Sequence, residues 1–224
     1  PAIGEHALGQ QRGDPDRDFL FSRASDILAD LGPEAVRIQA RTFERLVTGQ
    51  IRETVGPADG QDEVDHHLQV LADKTGSLIA TSAQFGAMFA GCDDAIIDTV
   101  TRYGERIGVA FQLADDLVDL TSDSAHSGKT PGTDLKEGVP TLAGLLVLQQ
   151  GGDERLLEML ARPLSDDEVV VALDLLRAHP ALQEARAVAR QWADDARACL
   201  EPLPAGSARD GLASVCDYVV NRTG

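Results

Sequence analysis

Residues 95–120 read AIIDTVTRYGERIGVAFQLADDLVDL, and this stretch decides the fold class. Apolar residues recur along it at intervals of three and four, which is the spacing of a buried face on an α-helix. Asp93 and Asp94 precede the stretch and are candidates to cap its N-terminus. We therefore predict one helix of about 28 residues, which is long beside the globular average.

The rest of the chain repeats this helical spacing, and short alternating strand patterns are almost absent. Glycine and proline residues separate the segments. Further helices are expected at about residues 18–30, 33–55, 62–90, 141–148, 154–161, 166–178, 182–200 and 208–221. Because no shift in composition divides the chain, we predict an all-α fold in a single domain, residues 1–224.

Composition excludes several classes of function. The formal net charge of −17 argues against a nucleic-acid partner and an anionic membrane surface. No apolar run approaches the roughly 18 residues that a membrane span needs, so we expect no stable membrane insertion. Cys92, Cys199 and Cys216 are widely spaced and form no metal or disulfide pattern. A cytoplasmic location is the expectation, and an anionic substrate would have to be held by local cations or metal.

A cluster of carboxylates ends the long helical segment. Asp115 and Asp119 share one helix face, and Asp116 lies about 100° round the axis. Carboxylates this close raise each other's pKa unless a cation neutralises them, and acid at the C-terminal end opposes the helix dipole. Mg²⁺ prefers oxygen ligands and typically binds through one or two carboxylates plus substrate phosphates. The pattern therefore predicts a magnesium and diphosphate site at these three aspartates.

Doubled aspartates elsewhere have simpler interpretations. They occur at residues 93–94, 166–167 and 194–195. The first two pairs precede helices, where acid caps free N–H groups, and the third is flanked by arginines as on a solvated face. None of these pairs is followed by a glycine-lysine loop. The cluster that begins at Asp115 is followed by SGKTPG, residues 127–132, in which Lys129 could reach a phosphate oxygen.

Lys74 lies midway along a helical segment, where a lone lysine is normally a surface residue. The residues that follow it, TGSLIATSAQFGAMFAG, are small or apolar and are expected to be buried. A cation at the border of a buried helix favours an anionic partner. Gln50 and Gln112, judged on residue type alone, are more often surface or core amides than ligands.

Four motifs, taken together and in their order along the chain, resemble those of the polyprenyl synthase family of trans-isoprenyl diphosphate synthases. The similarity extends from about residue 18 to the end. FQLADDLVD and GKTPGTDLKEGVPTL are similar to the second aspartate-rich motif of that family and the segment downstream of it. DKTGSL resembles its Lys-Thr motif, and GQIRE its Gly-Gln segment. The motifs lie at residues 111–119, 128–142, 73–78 and 49–53.

The resemblance implies a helical bundle with a central cavity, usually a homodimer, that condenses isopentenyl diphosphate with an allylic diphosphate. The product would be a linear polyprenyl diphosphate, and the cofactor Mg²⁺. The implied metal ligands are Asp115, Asp116 and Asp119. The implied catalytic residues are Lys74, Thr75 and Gln112. The implied substrate contacts are Arg12, Gln50, Lys74, Lys129 and Asp134.

The chain departs from the family pattern in its first part. The first aspartate-rich motif and the Gly-Gly-Lys-Arg-type segment that binds isopentenyl diphosphate are both absent. QQRGDP, residues 10–15, resembles the end of an arginine-rich loop, and it is the basis for Arg12 as a diphosphate contact. We expect either an N-terminally incomplete part of a longer enzyme or a truncated homologue. The alternatives are a class I terpene cyclase and an inactive regulatory subunit.

Overall fold

The computed structural model describes residues 15–122 and 131–221, and this part of the chain contains helices and no strand. The all-α prediction is therefore confirmed. The helices are α1 Pro15–Leu31, α2 Pro33–Val55, α3 Glu63–Leu71, α4 Ser77–Phe89, α5 Asp94–Thr121, α6 Thr133–Glu137, α7 Leu142–Gln150, α8 Glu154–Leu160, α9 Asp166–Ala178, α10 Pro180–Cys199 and α11 Ser207–Val220.

The structure differs from the predicted single helix over residues 62–90. A π-helical turn, Ala72–Gly76, joins α3 to α4. The helix therefore continues without a break, but this one turn contains an extra residue. Apolar spacing did not reveal the inserted residue because a single turn is too short to shift the pattern visibly. The short helix α6 was also not expected from the glycine-rich sequence around it.

The chain divides into two compact units, Pro1–Phe43 and Glu44–Gly224. In the first unit, the rings of Phe21 and Phe43 lie with their centroids 5.0 Å apart. The Gln39 side-chain amide also donates a hydrogen bond of 2.9 Å to the Ser25 hydroxyl. The second unit contains every predicted site residue except Arg12. The single-domain organisation stays a prediction.

Helix α5 is the centre of the second unit. Asp93 caps it by accepting a hydrogen bond from the Ile96 backbone N–H at 2.9 Å, as its sequence position predicts. The helix packs against the π turn, α4, α10 and α11. Val109 and Ala110 are fully buried. Burial of a large apolar side chain stabilises the fold by roughly 1.5–3 kcal/mol, so the buried faces of α5 carry much of the core energy.

Two glycines let the neighbouring backbones touch α5 directly. A Cβ atom added at Gly104 would lie 2.7 Å from the Cα atom of Ala80 in α4. A Cβ atom added at Gly108 would lie 2.8 Å from the Cα atom of Gly76 in the π turn. Since these neighbours are backbone atoms, they cannot rotate away. The two glycines therefore set the distance between α5 and the residues on the opposing backbone.

We predict that Gly104→Ala lowers the free energy of unfolding by about 1–3 kcal/mol or more, because the added methyl group overpacks a backbone contact. Gly86→Ala is the matched control, since Gly86 is also inside a helix and a Cβ there meets nothing within 4 Å. This control should gain about 0.5–1 kcal/mol from helix propensity. Urea unfolding measures both values, and equal effects would contradict the close approach.

Candidate functional site

The C-terminal end of α5 carries the three predicted metal ligands. Asp116 is half-buried, and its Oδ1 accepts a hydrogen bond of 3.0 Å from the Gln112 side-chain amide one turn earlier. Helix α5 continues to Thr121, and its C-cap Ser122 donates its backbone N–H to the Val118 carbonyl at 2.8 Å. The carboxylates thus project from regular helix, not from a loop, which restricts their positions.

Burial is the largest influence on Asp116, and it raises the pKa of the carboxyl group to about 7. The hydrogen bond from Gln112 opposes this change, whereas the negative charges of Asp134, Asp115 and Asp119 add to it. An acid in such surroundings is only partly ionised at neutral pH. The expected repulsion among the aspartates is therefore present, and a cation bound beside Asp116 would lower its pKa.

Asp119 joins α5 to the segment that contains Asp134. Its Oδ1 accepts from the Thr133 backbone N–H at 3.3 Å, and its Oδ2 accepts from the Asp134 backbone N–H at 3.4 Å. The Asp119 carbonyl also accepts from the Gly132 N–H at 3.0 Å. These contacts bring Asp134 next to the end of α5. They also give Asp119 a structural role at the start of α6, in addition to its predicted role as a metal ligand.

The π turn contributes the next two predicted residues. The Thr75 hydroxyl donates a hydrogen bond of 3.0 Å to Oε1 of Gln112, whose amide nitrogen is the donor to Asp116. Thr75, Gln112 and Asp116 therefore form one hydrogen-bonded chain from the π turn to the acidic cluster. The structure thus brings together three residues that were predicted to share one site, one from the π turn and two from α5.

Lys74 directly precedes Thr75, the first residue of this hydrogen-bonded series. Its Nζ lies 2.6 Å from Oε2 of Glu53 in α2, and the side-chain amide of Gln50 donates to the same oxygen at 2.8 Å. The structure thus connects Lys74 with the predicted residue Gln50 through Glu53, which is not among the predicted site residues. The signal for Glu53 was its position three residues after Gln50, on the same face of α2.

Arg12 and Lys129 lie outside the described residues, so their roles as diphosphate contacts stay predictions. Arg177 of α9 is a further residue that sequence reasoning missed. Its Nε donates to the Leu120 carbonyl at 2.9 Å and its Nη2 to the Ser122 carbonyl at 3.3 Å. A cation at a helix C-terminus complements the helix dipole, so Arg177 stabilises the end of α5 that holds the acids. Nothing in the local sequence of α9 marks this contact.

The carboxylate oxygens of the three aspartates are suitable ligands for a hard divalent cation, but they do not form a complete set of metal ligands by themselves. In residues 15–122 and 131–221, no group of three or more His, Cys, Asp or Glu side chains is placed to hold a metal ion. A cation here would therefore need water or phosphate oxygens to complete its coordination, which is how proteins usually bind Mg²⁺. Burial and the neighbouring carboxylates raise the pKa of Asp116, and a bound cation would oppose this change. The three aspartates as joint ligands stay a prediction.

We predict that Asp116→Asn stabilises the metal-free protein at pH 8, by up to a few kcal/mol at about 1.4 kcal/mol per pKa unit. Because the folded protein raises this pKa, the carboxyl group costs stability progressively as pH rises from about 4 through 7. The gain should therefore be smaller at pH 5. Urea unfolding in EDTA at both pH values measures it.

Asp98→Asn is the matched control, since Asp98 is exposed on the same helix. Its free energy of unfolding should differ little from that of the unchanged protein at either pH. A gain for Asp116→Asn that does not depend on pH would contradict the assignment of a raised pKa.

No helix in the described residues combines the length and the apolar character required to cross a bilayer.

The model of the family described as Polyprenyl synthetase matches residues 6–176. Nonaprenyl diphosphate synthase from Mycobacterium tuberculosis is 47% identical over 210 residues, which are 92% of this chain and 63% of that protein. The chain thus spans less than two thirds of this relative.

Two solved structures are similar in fold, each described as complexed with calcium and isoprenyl diphosphate. The first is geranylgeranyl pyrophosphate synthase from Corynebacterium glutamicum, with a TM-score of 0.80, 38% identity, and coverage of 92% of this chain and 65% of that one. The second is polyprenyl synthase from Caulobacter crescentus CB15, with a TM-score of 0.82, 29% identity and the same coverage. The chain belongs to the polyprenyl synthetase family.

Proposed function

We propose that this chain carries a diphosphate and metal site of a prenyltransferase that condenses isopentenyl diphosphate with an allylic diphosphate. The product is a linear polyprenyl diphosphate. The observation that carries the proposal is the series of hydrogen bonds from Thr75 through Gln112 to Asp116. Lys74 directly precedes Thr75 in the π turn. The relatives support the substrate class, since one is named as a nonaprenyl diphosphate synthase and two were solved with isoprenyl diphosphate.

Lys74 binds the oxygens of the allylic diphosphate. Its ammonium group has three N–H donors, and the contact with Glu53 leaves donors for a phosphate. The side chain is about 30% exposed, so it is partly desolvated and its charge is little screened. As the C–O bond of the allylic substrate breaks, its electron pair goes to the diphosphate, and the lysine stabilises the leaving group.

Asp115, Asp116 and Asp119 would hold Mg²⁺ against the same diphosphate. When bound, the metal supplies positive charge to the phosphate oxygens as the leaving group develops negative charge. Two solved relatives are described as complexed with calcium, which supports a divalent cation, and Mg²⁺ is our more specific proposal. Asp134, held near Asp119 by backbone contacts, adds negative charge to this end of α5.

Thr75 and Gln112 stabilise the electron-poor allylic carbon. The Thr75 hydroxyl proton is used in its bond to Gln112, so the oxygen can present lone pairs to developing positive charge. The allylic carbon then bonds to the terminal carbon of isopentenyl diphosphate, which afterwards loses a proton to regenerate a double bond. These two residues act by electrostatics, and no covalent intermediate with the protein is needed.

Several finer predictions accompany this proposal. A homodimer is implied by the family resemblance, and so are Gln50, Arg12 and Lys129 as substrate contacts. A cytoplasmic location and the lack of a nucleic-acid partner follow from composition and charge. The central cavity would shield the allylic carbon from water. Each of these statements remains part of the proposal.

We predict that the full-length protein, supplied with radiolabelled isopentenyl diphosphate, an allylic diphosphate and Mg²⁺, forms extractable prenyl diphosphate. EDTA should abolish this product. The double variant D115N/D116N should lower incorporation at least 100-fold because it removes two carboxylate ligands. The double variant D194N/D195N is the matched control, as it changes an exposed aspartate pair on α10, and it should keep activity within about twofold.

Other outcomes of this assay discriminate the alternatives. Hydrocarbon or alcohol products from one diphosphate alone would replace the proposal with a terpene cyclase. A correctly folded full-length protein that neither elongates the primer nor binds inorganic diphosphate with Mg²⁺ in titration calorimetry would contradict the proposal and favour a regulatory subunit.

A further inference from the structure

Asp73 is an almost completely buried carboxylate that the proposed reaction does not use. It lies in the π turn, directly before Lys74, and its side chain is 5% exposed. A buried carboxylate is costly unless its charge is paired and its oxygens accept hydrogen bonds. The hydrogen-bond partners of Asp73 therefore indicate the role of this carboxylate.

Both carboxylate oxygens of Asp73 are bonded. Oδ1 accepts from Nε of Arg45 at 2.8 Å and from the Gln69 side-chain amide at 3.1 Å. Oδ2 accepts from Nη1 of Arg52, which lies two turns along α2 from Arg45. Two guanidinium groups from one helix thus hold a single carboxylate. We call Arg45, Arg52 and Asp73 the arginine clamp.

The arginine clamp also reaches α5. Nη2 of Arg45 donates to Oε1 of Glu105, so this arginine bridges the π turn and the central helix. Burial opposes ionisation of Arg45, but hydrogen bonds and charge from Glu105 and Asp73 outweigh it and raise the pKa of Arg45. The guanidinium group is therefore a permanent cation between two carboxylates.

Three consecutive residues of the π turn contact three different groups. Asp73 contacts the two arginines of α2, Lys74 contacts Glu53, and Thr75 contacts Gln112 of α5. Gly49 of α2 permits this arrangement, because a Cβ atom there would lie 2.8 Å from the Asp73 Cβ. The turn is thus fixed from α2 at the residue that precedes the two functional side chains.

We infer that Asp73, held by Arg45 and Arg52, is a positioning residue that keeps the π turn in the register that directs Lys74 and Thr75 into the diphosphate site. Its effect on diphosphate binding rests on the proposed function. Each residue of an α-helix turns by about 100° round the axis. Loss of the inserted residue would therefore move both side chains away from Glu53 and Gln112. Removing one partner of a buried ion pair leaves an uncompensated charge, so these contacts oppose a change of register.

Lysine NMR tests this inference directly. Lys74, Lys129 and Lys136 are the only lysines in the chain, so protein labelled with ¹³C at the lysine ε position gives few signals, and Lys74→Met identifies one. In Asp73→Asn we expect the Lys74 signal to move. We also expect the affinity for inorganic diphosphate in Mg²⁺, measured by titration calorimetry, to fall at least tenfold. The Lys136 signal should not move, since Lys136 pairs with Asp166.

Leu156→Ala is the control for general destabilisation, because Leu156 is a core residue of α8 that is 1% exposed. Compared at temperatures where the folded fractions are equal, it should leave the Lys74 signal and diphosphate affinity unchanged. Arg45→Gln is a milder second variant that decides the question if Asp73→Asn does not fold, since Arg52 and Gln69 still contact Asp73. It should change both readouts in the same direction by a smaller amount.

Two results would overturn the inference. One is a Lys74 signal that stays in place when Asp73 or Arg45 is changed. The other is the same shift and loss of affinity in Leu156→Ala. If the unchanged chain does not bind diphosphate, the proposed function fails, and the Lys74 signal alone then decides the positioning role.

Discussion

The direct backbone contact between α5 and the π turn is the constraint on which the site depends. Gly108 allows the Cα atom of Gly76 to approach α5 more closely than any side chain would permit. This approach brings the hydroxyl of Thr75 within 3.0 Å of Gln112, one turn before Asp116 on the same helix. Residues about 40 positions apart in sequence are joined because two glycines remove the side chains between their backbones.

Charge is arranged around this contact in two opposite ways. Asp73 is a buried carboxylate that is fully paired by arginines, and it stabilises a particular backbone register. Asp116 is a half-buried carboxylate that has an amide donor and other acids nearby, and its pKa rises to about 7. The first arrangement is complete within the protein. The second is relieved by a cation, which is the physical reason to regard this end of α5 as a metal and diphosphate site.

The sequence was sufficient for the fold class and for grouping three residues that the structure joins, for identifiable reasons. The apolar spacing of α5 is long and regular, and Asp93 caps it as predicted. Thr75, Gln112 and Asp116 were recognised from their motifs, and the structure joins them by hydrogen bonds. These features are local in sequence or belong to motifs with a characteristic order.

Other parts of the site depend on contacts that local sequence does not encode. Arg177 reaches the carbonyls at the end of α5 from a helix more than 50 residues later. The π turn is a single inserted residue, and its stabilising partners Arg45 and Arg52 look like ordinary surface arginines of α2. Such residues can be recognised only once the helices are packed, because their function is to connect elements that are distant in sequence.

The central claim is that the acidic end of α5 and the π turn together bind a metal and a diphosphate. A crystal structure of the chain with Mn²⁺ and a non-hydrolysable allylic diphosphate analogue, with anomalous scattering to locate the metal, tests it most directly. We expect a metal peak in contact with Asp116 and the diphosphate, and the Lys74 ammonium group on a phosphate oxygen. A metal and diphosphate bound away from α5, with Lys74 still paired only with Glu53, would contradict the claim.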